Sequence, residues 1–486
     1  VSFAKKNAFL ILLGVLYILL SLYFIWVDQA YLTLFPIGLL AIYFAVYYTE
    51  YTFLSIAFLT PLSINIEEYT DSFGLFVPTE PLLFGFLLFF LFLQIRKNIL
   101  PKELWKNPII WSVGFYIGWL FIASIMSTHP VVSLKFGLAR LWFIVPVLLF
   151  GTYFFRKEIN IKRFIWLLVI GMFIVICYTL IVHASYSFGE KEGHWVMWPF
   201  FKDHTIYGAT VALTVPLVFG LYLYKKHSPL VQVILLSFIA IILLGMFFSY
   251  TRAAWLSLIA ALGVWALIHF KIKLSLLVTI AAFIGGVIFF SWDAIQMDLA
   301  RNKNEHTTED FGKKLQSAAN VSTDASNLER INRWTCAIEM FRERPFFGFG
   351  PGTYAFEYAR FQDPENLTII STNFGDLGNA HSEYLGALSE MGVLGLCAFI
   401  CIVTAIFYKA ITLYNRWPDD EKETKRLLLA MILSLVTYFV HAVLNNFLDT
   451  DKAAVPVWGM CAAFIALEIA LNRKINAKPN LKDSNI

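Results

Sequence analysis

The residues able to do chemistry are few, and they stand at the edges of apolar runs. Arg252 follows Ser249-Tyr250-Thr251 between two such runs, and Asp203-His204 open another. Arg330 and Arg333 begin an amphipathic stretch, three residues apart. His381 precedes an apolar run in Asn379-Ala380-His381-Ser382-Glu383-Tyr384. Arg140 lies about six residues inside a run, roughly 9 Å deep at 1.5 Å per residue. Arginine suits phosphate because its planar fork binds two oxygens at once and stays charged. A histidine titrating near neutrality can take a proton from a hydroxyl. Arginines and histidines gathered at one face fit a lipid-linked phosphate or diphosphate substrate and a hydroxyl acceptor. Each residue also has a plainer role. Arg140 can snorkel to head groups, Asp203 and Thr205 can cap a helix, Arg333 can form an exposed basic face, and a lone histidine can be structural.

The elements that must position these residues are membrane helices. Of 486 residues, 58% are hydrophobic and 15% charged, whereas soluble domains carry about 25% charged residues. That excludes a soluble enzyme and a disordered chain. Unbroken apolar runs, not alternation, argue against an outer-membrane barrel. Runs long enough to approach a span of about 20 residues lie near 8–26, 30–48, 51–63, 80–95, 108–126, 134–154, 163–183, 205–224, 229–248, 252–270, 274–292, 385–408, 427–447 and 453–471. The first, after Lys5 and Lys6, reads as an uncleaved span and not as a leader. The third and fourth are short and carry Pro61 and Pro81, so they can form a hairpin that does not fully cross. The expectation is an all-α polytopic membrane protein with 12–14 transmembrane helices.

With the N-terminus inside, short inner segments hold 23 of the 38 Lys and Arg and short outer loops hold five. This is the positive-inside bias, and it puts both termini in the cytoplasm. The chain then divides into an N-terminal bundle (1–292), one large outer loop (293–384) and C-terminal spans with a tail (385–486). In the loop, Arg301 to Asn327 is polar. From Leu328, Ile331, Trp334, Ile338 and Phe341 recur at helical spacing, and Pro345 ends the helix. Tyr354, Tyr358 and Phe361 repeat the pattern after Gly348-Phe349-Gly350-Pro351-Gly352. Two short amphipathic helices on the outer membrane surface are expected. The glycine turn reads as a plain tight turn, with backbone N–H groups on phosphate as the alternative. The five cysteines are scattered, without metal-ligand or disulfide spacing. No phosphate-binding loop or dinucleotide motif occurs, which argues against an ATP-driven pump.

Four stretches then form an ordered pattern: Arg330-Ile331-Asn332-Arg333-Trp334; Arg344-Pro345-Phe346-Phe347-Gly348-Phe349-Gly350-Pro351-Gly352; Ala380-His381-Ser382-Glu383-Tyr384-Leu385; and Glu390-Met391-Gly392-Val393-Leu394-Gly395-Leu396. With Ser249-Tyr250-Thr251-Arg252, they resemble the O-antigen ligase family, which includes O-antigen polymerases and protein O-oligosaccharyltransferases. The resemblance is strongest over about 245–400. Ser382 follows His381 where Asn is commoner.

The resemblance implies a metal-independent, cofactor-free membrane glycosyltransferase with a large periplasmic loop in the bacterial inner membrane. The implied donor is a glycan on undecaprenyl diphosphate. The implied acceptor is lipid A–core, or else a growing glycan or a protein hydroxyl. Membrane lipids are the other partners, and no nucleic acid is expected. By resemblance, Arg252 and Arg330 hold the diphosphate and His381 serves as general base or acceptor binder. Arg140, His204 and Arg333 join as substrate-binding candidates from position. A lipid-linked glycan flippase is the competing class. Transporters place ionisable groups near the bilayer midplane, whereas here they gather at the outer edge.

Overall fold

The computed structural model describes residues 2–27, 29, 32–33, 35–67, 74–225, 227–271, 325–362 and 378–477. The expected span at 274–292 and residues 301–324 of the polar stretch lie outside the described residues. The chain forms two compact units, Val1–Ser55 and Ile56–Ile486. The first holds α1 (Ser2–Trp26) and α2 (Phe35–Tyr47), where Tyr17 donates to the Thr33 carbonyl at 2.8 Å. Next along the chain is α3 (Thr49–Leu62).

The second unit carries ten helices that, among the described residues, are long and apolar enough to cross a membrane. They are α4 (Thr79–Lys97), α5 (Pro108–Ile125), α6 (Pro130–Phe154), α7 (Glu158–Ser185), α8 (His204–Tyr224), α9 (Pro229–Phe247), α10 (Arg252–His269), α13 (Glu383–Arg416), α14 (Lys422–His441) and α15 (Asp451–Ala477). Between α10 and α13 lie the loop helices α11 (Ala325–Glu343) and α12 (Tyr354–Glu357). Thus α4 has the length to cross, unlike half of a short hairpin, while 14-residue α3 does not. A two-stranded turn joins α3 to α4, with β1 (Ile64–Asn65) antiparallel to β2 (Phe76–Val77).

Local chemistry sets the helix starts. Asn107 caps α5 through its Oδ1, which accepts from Ile109 N, and Pro108 takes the first position, where no N–H is needed. Pro130 and Pro229 open α6 and α9 in the same way. Large apolar side chains stay exposed along the helices, Leu230, Val233 and Leu236 of α9 among them, which hydrocarbon solvates and water would not.

The two ends of the bundle differ in charge. At one end, Arg473 pairs with Glu103, Lys474 with Glu158 and Glu421, and Arg426 donates to the Leu223 carbonyl. These contacts join the inner loops expected from charge counting into one basic face. The other end gathers the starts of α8, α10, α13 and α15 and the end of α14. It also holds Lys452, one of the five basic residues that charge counting assigns to short outer loops. The structure buries it completely: its Nζ donates to the carbonyls of Thr60 and Ser63 and to Ser63 Oγ, above the rings of Phe76 and Phe201.

Candidate functional site

The loop is fastened to the bundle backbone to backbone. Helix α13 breaks at Gly392, whose φ is +67°. The break frees the carbonyls of Ser389 and Glu390, which accept from Phe349 N and Gly350 N, while Val393 N donates to the Pro345 carbonyl. Contact is close enough that a Cβ on Gly392 would lie 2.2 Å from the Phe346 carbonyl oxygen, and one on Gly348 2.3 Å from Glu390. Gly348 N bonds Arg344, and the Glu390 carboxylate takes Tyr354 N. The N–H groups of the glycine turn therefore serve the fold, which makes it the plain turn and removes the phosphate alternative.

Helix α11 lies on this platform, but not on the face read from periodicity. The buried positions are Glu329, Asn332, Arg333, Cys336, Ala337 and Met340, while Ile338 is 39% exposed. Cys336, Ala337, Met340, Phe349, Tyr354, Tyr358 and Ala380 form the core beneath the loop. The inward face mixes polar Glu329, Asn332 and Arg333 with Cys336, Ala337 and Met340, while Ile331, Trp334 and Phe341 are half-buried at its sides. Arg333 is drawn into this core. Its Nε pairs with Glu329 at 2.7 Å, its guanidinium lies 4.6 Å over the Tyr358 ring, and Nη1 approaches the Asn379 carbonyl at 3.5 Å.

His381 is presented by a strained turn. Its φ is +46°, a left-handed conformation uncommon outside glycine. Asn379 Oδ1 accepts from its backbone N at 3.0 Å, and Trp334 Nε1 donates to its carbonyl at 3.3 Å. Burial, then Arg333 and Arg330, push its imidazole down to about 4, while a side-chain bond with Asn445 works the other way. His381 is therefore neutral at pH 7. Asn445 Nδ2 also meets His441 Nε2 at 3.0 Å, so one amide joins two imidazoles. Its carbonyl faces His381 when its NH2 faces His441.

Arg330 is the common neighbour, interacting electrostatically with His204, His381 and His441. His204 opens α8 behind Asp203, whose Oδ1 accepts from Thr205 N and Ile206 N; Asp203 is thus the cap. The His204 ring stacks on His194 at 4.2 Å. Arg252 opens α10, and the preceding Thr251 donates to the His204 carbonyl at 2.8 Å while packing against Gly208. A residue near 204, one near 252, the α11 arginine and the α13 histidine are thereby collected at one end.

Arg140 is 8% exposed and lies 3.9 Å from Glu383, over the Phe136 ring at 4.9 Å. Glu383 Oε1 accepts from Tyr438 and from the N–H groups of Phe447 and Leu448. It thereby fixes the α14–α15 connection that carries Asn445 and Asp449. Asp449 has an exposed side chain, yet its surroundings raise its carboxyl pKa, with Arg140 opposing. Asn445, His441, Glu383 and Asp449 were not singled out in the sequence. The one available signal was His441 and Asn445 four apart, where an apolar run ends. Among the described residues, no group of three His, Cys, Asp or Glu is placed to hold a metal ion.

Residues 236–400 match the family described as O-antigen ligase. No curated protein matches the chain. Arg252, Arg330, Arg333 and His381 fall inside the matched segment, while Arg140 and His204 lie before it. The match supports glycosyltransferase-like activity of the O-antigen ligase and polymerase kind. Over this segment, about a third of its length, the chain is similar to the O-antigen ligase family.

Proposed function

We propose that the protein is an O-antigen ligase, moving a glycan from undecaprenyl diphosphate to a hydroxyl of lipid A–core without a metal. The observation that carries the proposal is Arg330 set among three histidines beside the Arg252 helix start, at the bundle end opposite the basic face. By the positive-inside bias that end faces away from the cytoplasm, and the family resemblance makes that side the periplasm of the bacterial inner membrane.

In this mechanism Arg252 and Arg330 hold the diphosphate and stabilise charge as it leaves. His381 accepts the proton of the acceptor hydroxyl. The acceptor oxygen bonds to the anomeric carbon as the sugar–diphosphate bond breaks, and its electron pair departs on the diphosphate, with inversion. Arg140 and His204 contribute to substrate binding. Arg333 acts at one remove, through the Asn379 carbonyl that shapes the His381 turn. Binding the donor offsets the charge of Arg330, so the imidazole becomes more basic when a base is needed. Positioning supplies much of the rate.

The test is lipid-linked glycan incubated with rough lipopolysaccharide in detergent. Capped lipopolysaccharide on a gel is the expected product, absent in Arg252→Ala and His381→Ala. Longer lipid-linked chains without transfer would replace the ligase by a polymerase. Full activity in both variants would overturn the site.

A further inference from the structure

A second region runs the height of the bundle, from the basic face to the neighbourhood of Tyr384 and Val443. Helices α10, α13 and α14 enclose a groove of about 1350 Å3, larger than the roughly 300–1,000 Å3 of an ordinary small-molecule site. It follows α14 from Lys422 to Val440, about 27 Å at 1.5 Å per residue, close to the ~30 Å hydrocarbon thickness of a bilayer. Its walls are apolar, with Ile268, Phe407, Ile411, Leu429 and Val436 among them. Its mouth, at the basic face, carries Lys271, Lys422, Lys425, Arg426, His269 and Asp419.

We propose that this groove is a binding site for an anionic phospholipid of the leaflet at the basic face, acyl chains along the walls and head group on the lysine–arginine mouth. Charge selects this occupant. Four cations face one carboxylate, and Lys425 already bonds it. Lys425 bonds Asp419 and holds its carboxyl below the usual range, with Lys271 and Lys422 adding to the effect. A net positive mouth over an apolar slot is the arrangement that recognises acidic head groups between membrane helices. A polyisoprenyl donor entering from the catalytic end would place its phosphates at the opposite end and leave the cations unmatched. A zwitterionic phospholipid would fill the slot without using the charge.

The full chain, purified in a neutral detergent, is offered equimolar dioleoyl phosphatidylglycerol and dioleoyl phosphatidylcholine, and retained lipid is counted by native mass spectrometry. Phosphatidylglycerol is expected to be preferred by roughly tenfold or more, falling as salt rises. In Lys422→Gln/Arg426→Gln the ratio should fall toward one. In Asp419→Asn, which removes the competing carboxylate, it should rise. Equal retention in the unaltered protein, an unchanged ratio in the double variant, or a lower ratio in Asp419→Asn would each overturn the proposal. Displacement of phosphatidylglycerol by equimolar undecaprenyl phosphate would also overturn it, by giving the groove to the donor tail. None of these readouts depends on glycan transfer.

Discussion

The His381 imidazole should change its basicity when the donor binds. In the donor-free protein it stands at about 4 against an ordinary 6.5, a depression worth about 3 kcal/mol at 1.36 kcal/mol per pH unit. Burial is the first cause, followed by the repulsion of Arg333 and Arg330. A bound diphosphate offsets the arginine share and leaves the burial share, so the rise should be a fraction of the whole, about one pH unit. The sign follows from the lowered value. Below about 4 the ring is protonated and cannot act as base, and above it the ring is competent. The acid limb of kcat/KM, which reports the free enzyme, should therefore lie near 4, with a level profile from pH 6 to 8. The limb of kcat, which reports the bound enzyme, should lie about one unit higher. Histidine-labelled protein titrated by NMR with and without undecaprenyl diphosphate reads the same quantity directly. A His381 pKa that stays fixed or falls on donor binding would refute the reasoning. So would a free-enzyme limb at 6.5 or above.

Asn445→Ala removes the amide between His381 and His441, and transfer should drop about 10–100-fold, as for other orienting partners, with donor binding retained; transfer rates and donor affinity measured separately decide it. Lys452→Met leaves Asp451 and three oxygen acceptors buried without their cation, and stability in detergent should fall by about 3–5 kcal/mol. Thermal denaturation checks this, and Lys452→Met/Asp451→Asn should recover part of the loss. Gly392→Ala forces a Cβ against the Phe346 carbonyl at positive φ, and a loss of more than about 3 kcal/mol is expected by the same measurement.

Much of the architecture was legible because membrane spans are written in long apolar runs. Arg252, Arg330 and His381 stood out because polar residues at the edges of such runs are scarce. Asn445, Glu383 and Asp449 did not. Their roles depend on a connection more than sixty residues from His381, folded back by the bond from Glu383 N to the Ala442 carbonyl. The loop helix shows a different limit. Periodicity finds the apolar stripe of α11, but Ile338 on it is exposed, and the packed face mixes Glu329, Asn332 and Arg333 with Cys336, Ala337 and Met340. Lys452 could not be foreseen, since only the geometry of the α3–β1 turn supplies the oxygens that accept its charge.

The break in α13 also bears on how the chain is made. The segment 345–350 emerges from the ribosome about forty residues before its partner at 389–393. Until the later segment is made, the N–H groups of Phe349 and Gly350 and the Pro345 carbonyl lack the partners they take in α13, although the Phe349 carbonyl can already accept from Thr128 N. The loop can therefore take its place on α13 only after the span that begins at Glu383 has been made. A nascent chain stopped before that point would expose the cysteine- and tyrosine-lined underside of the loop to whatever quality control patrols the membrane surface.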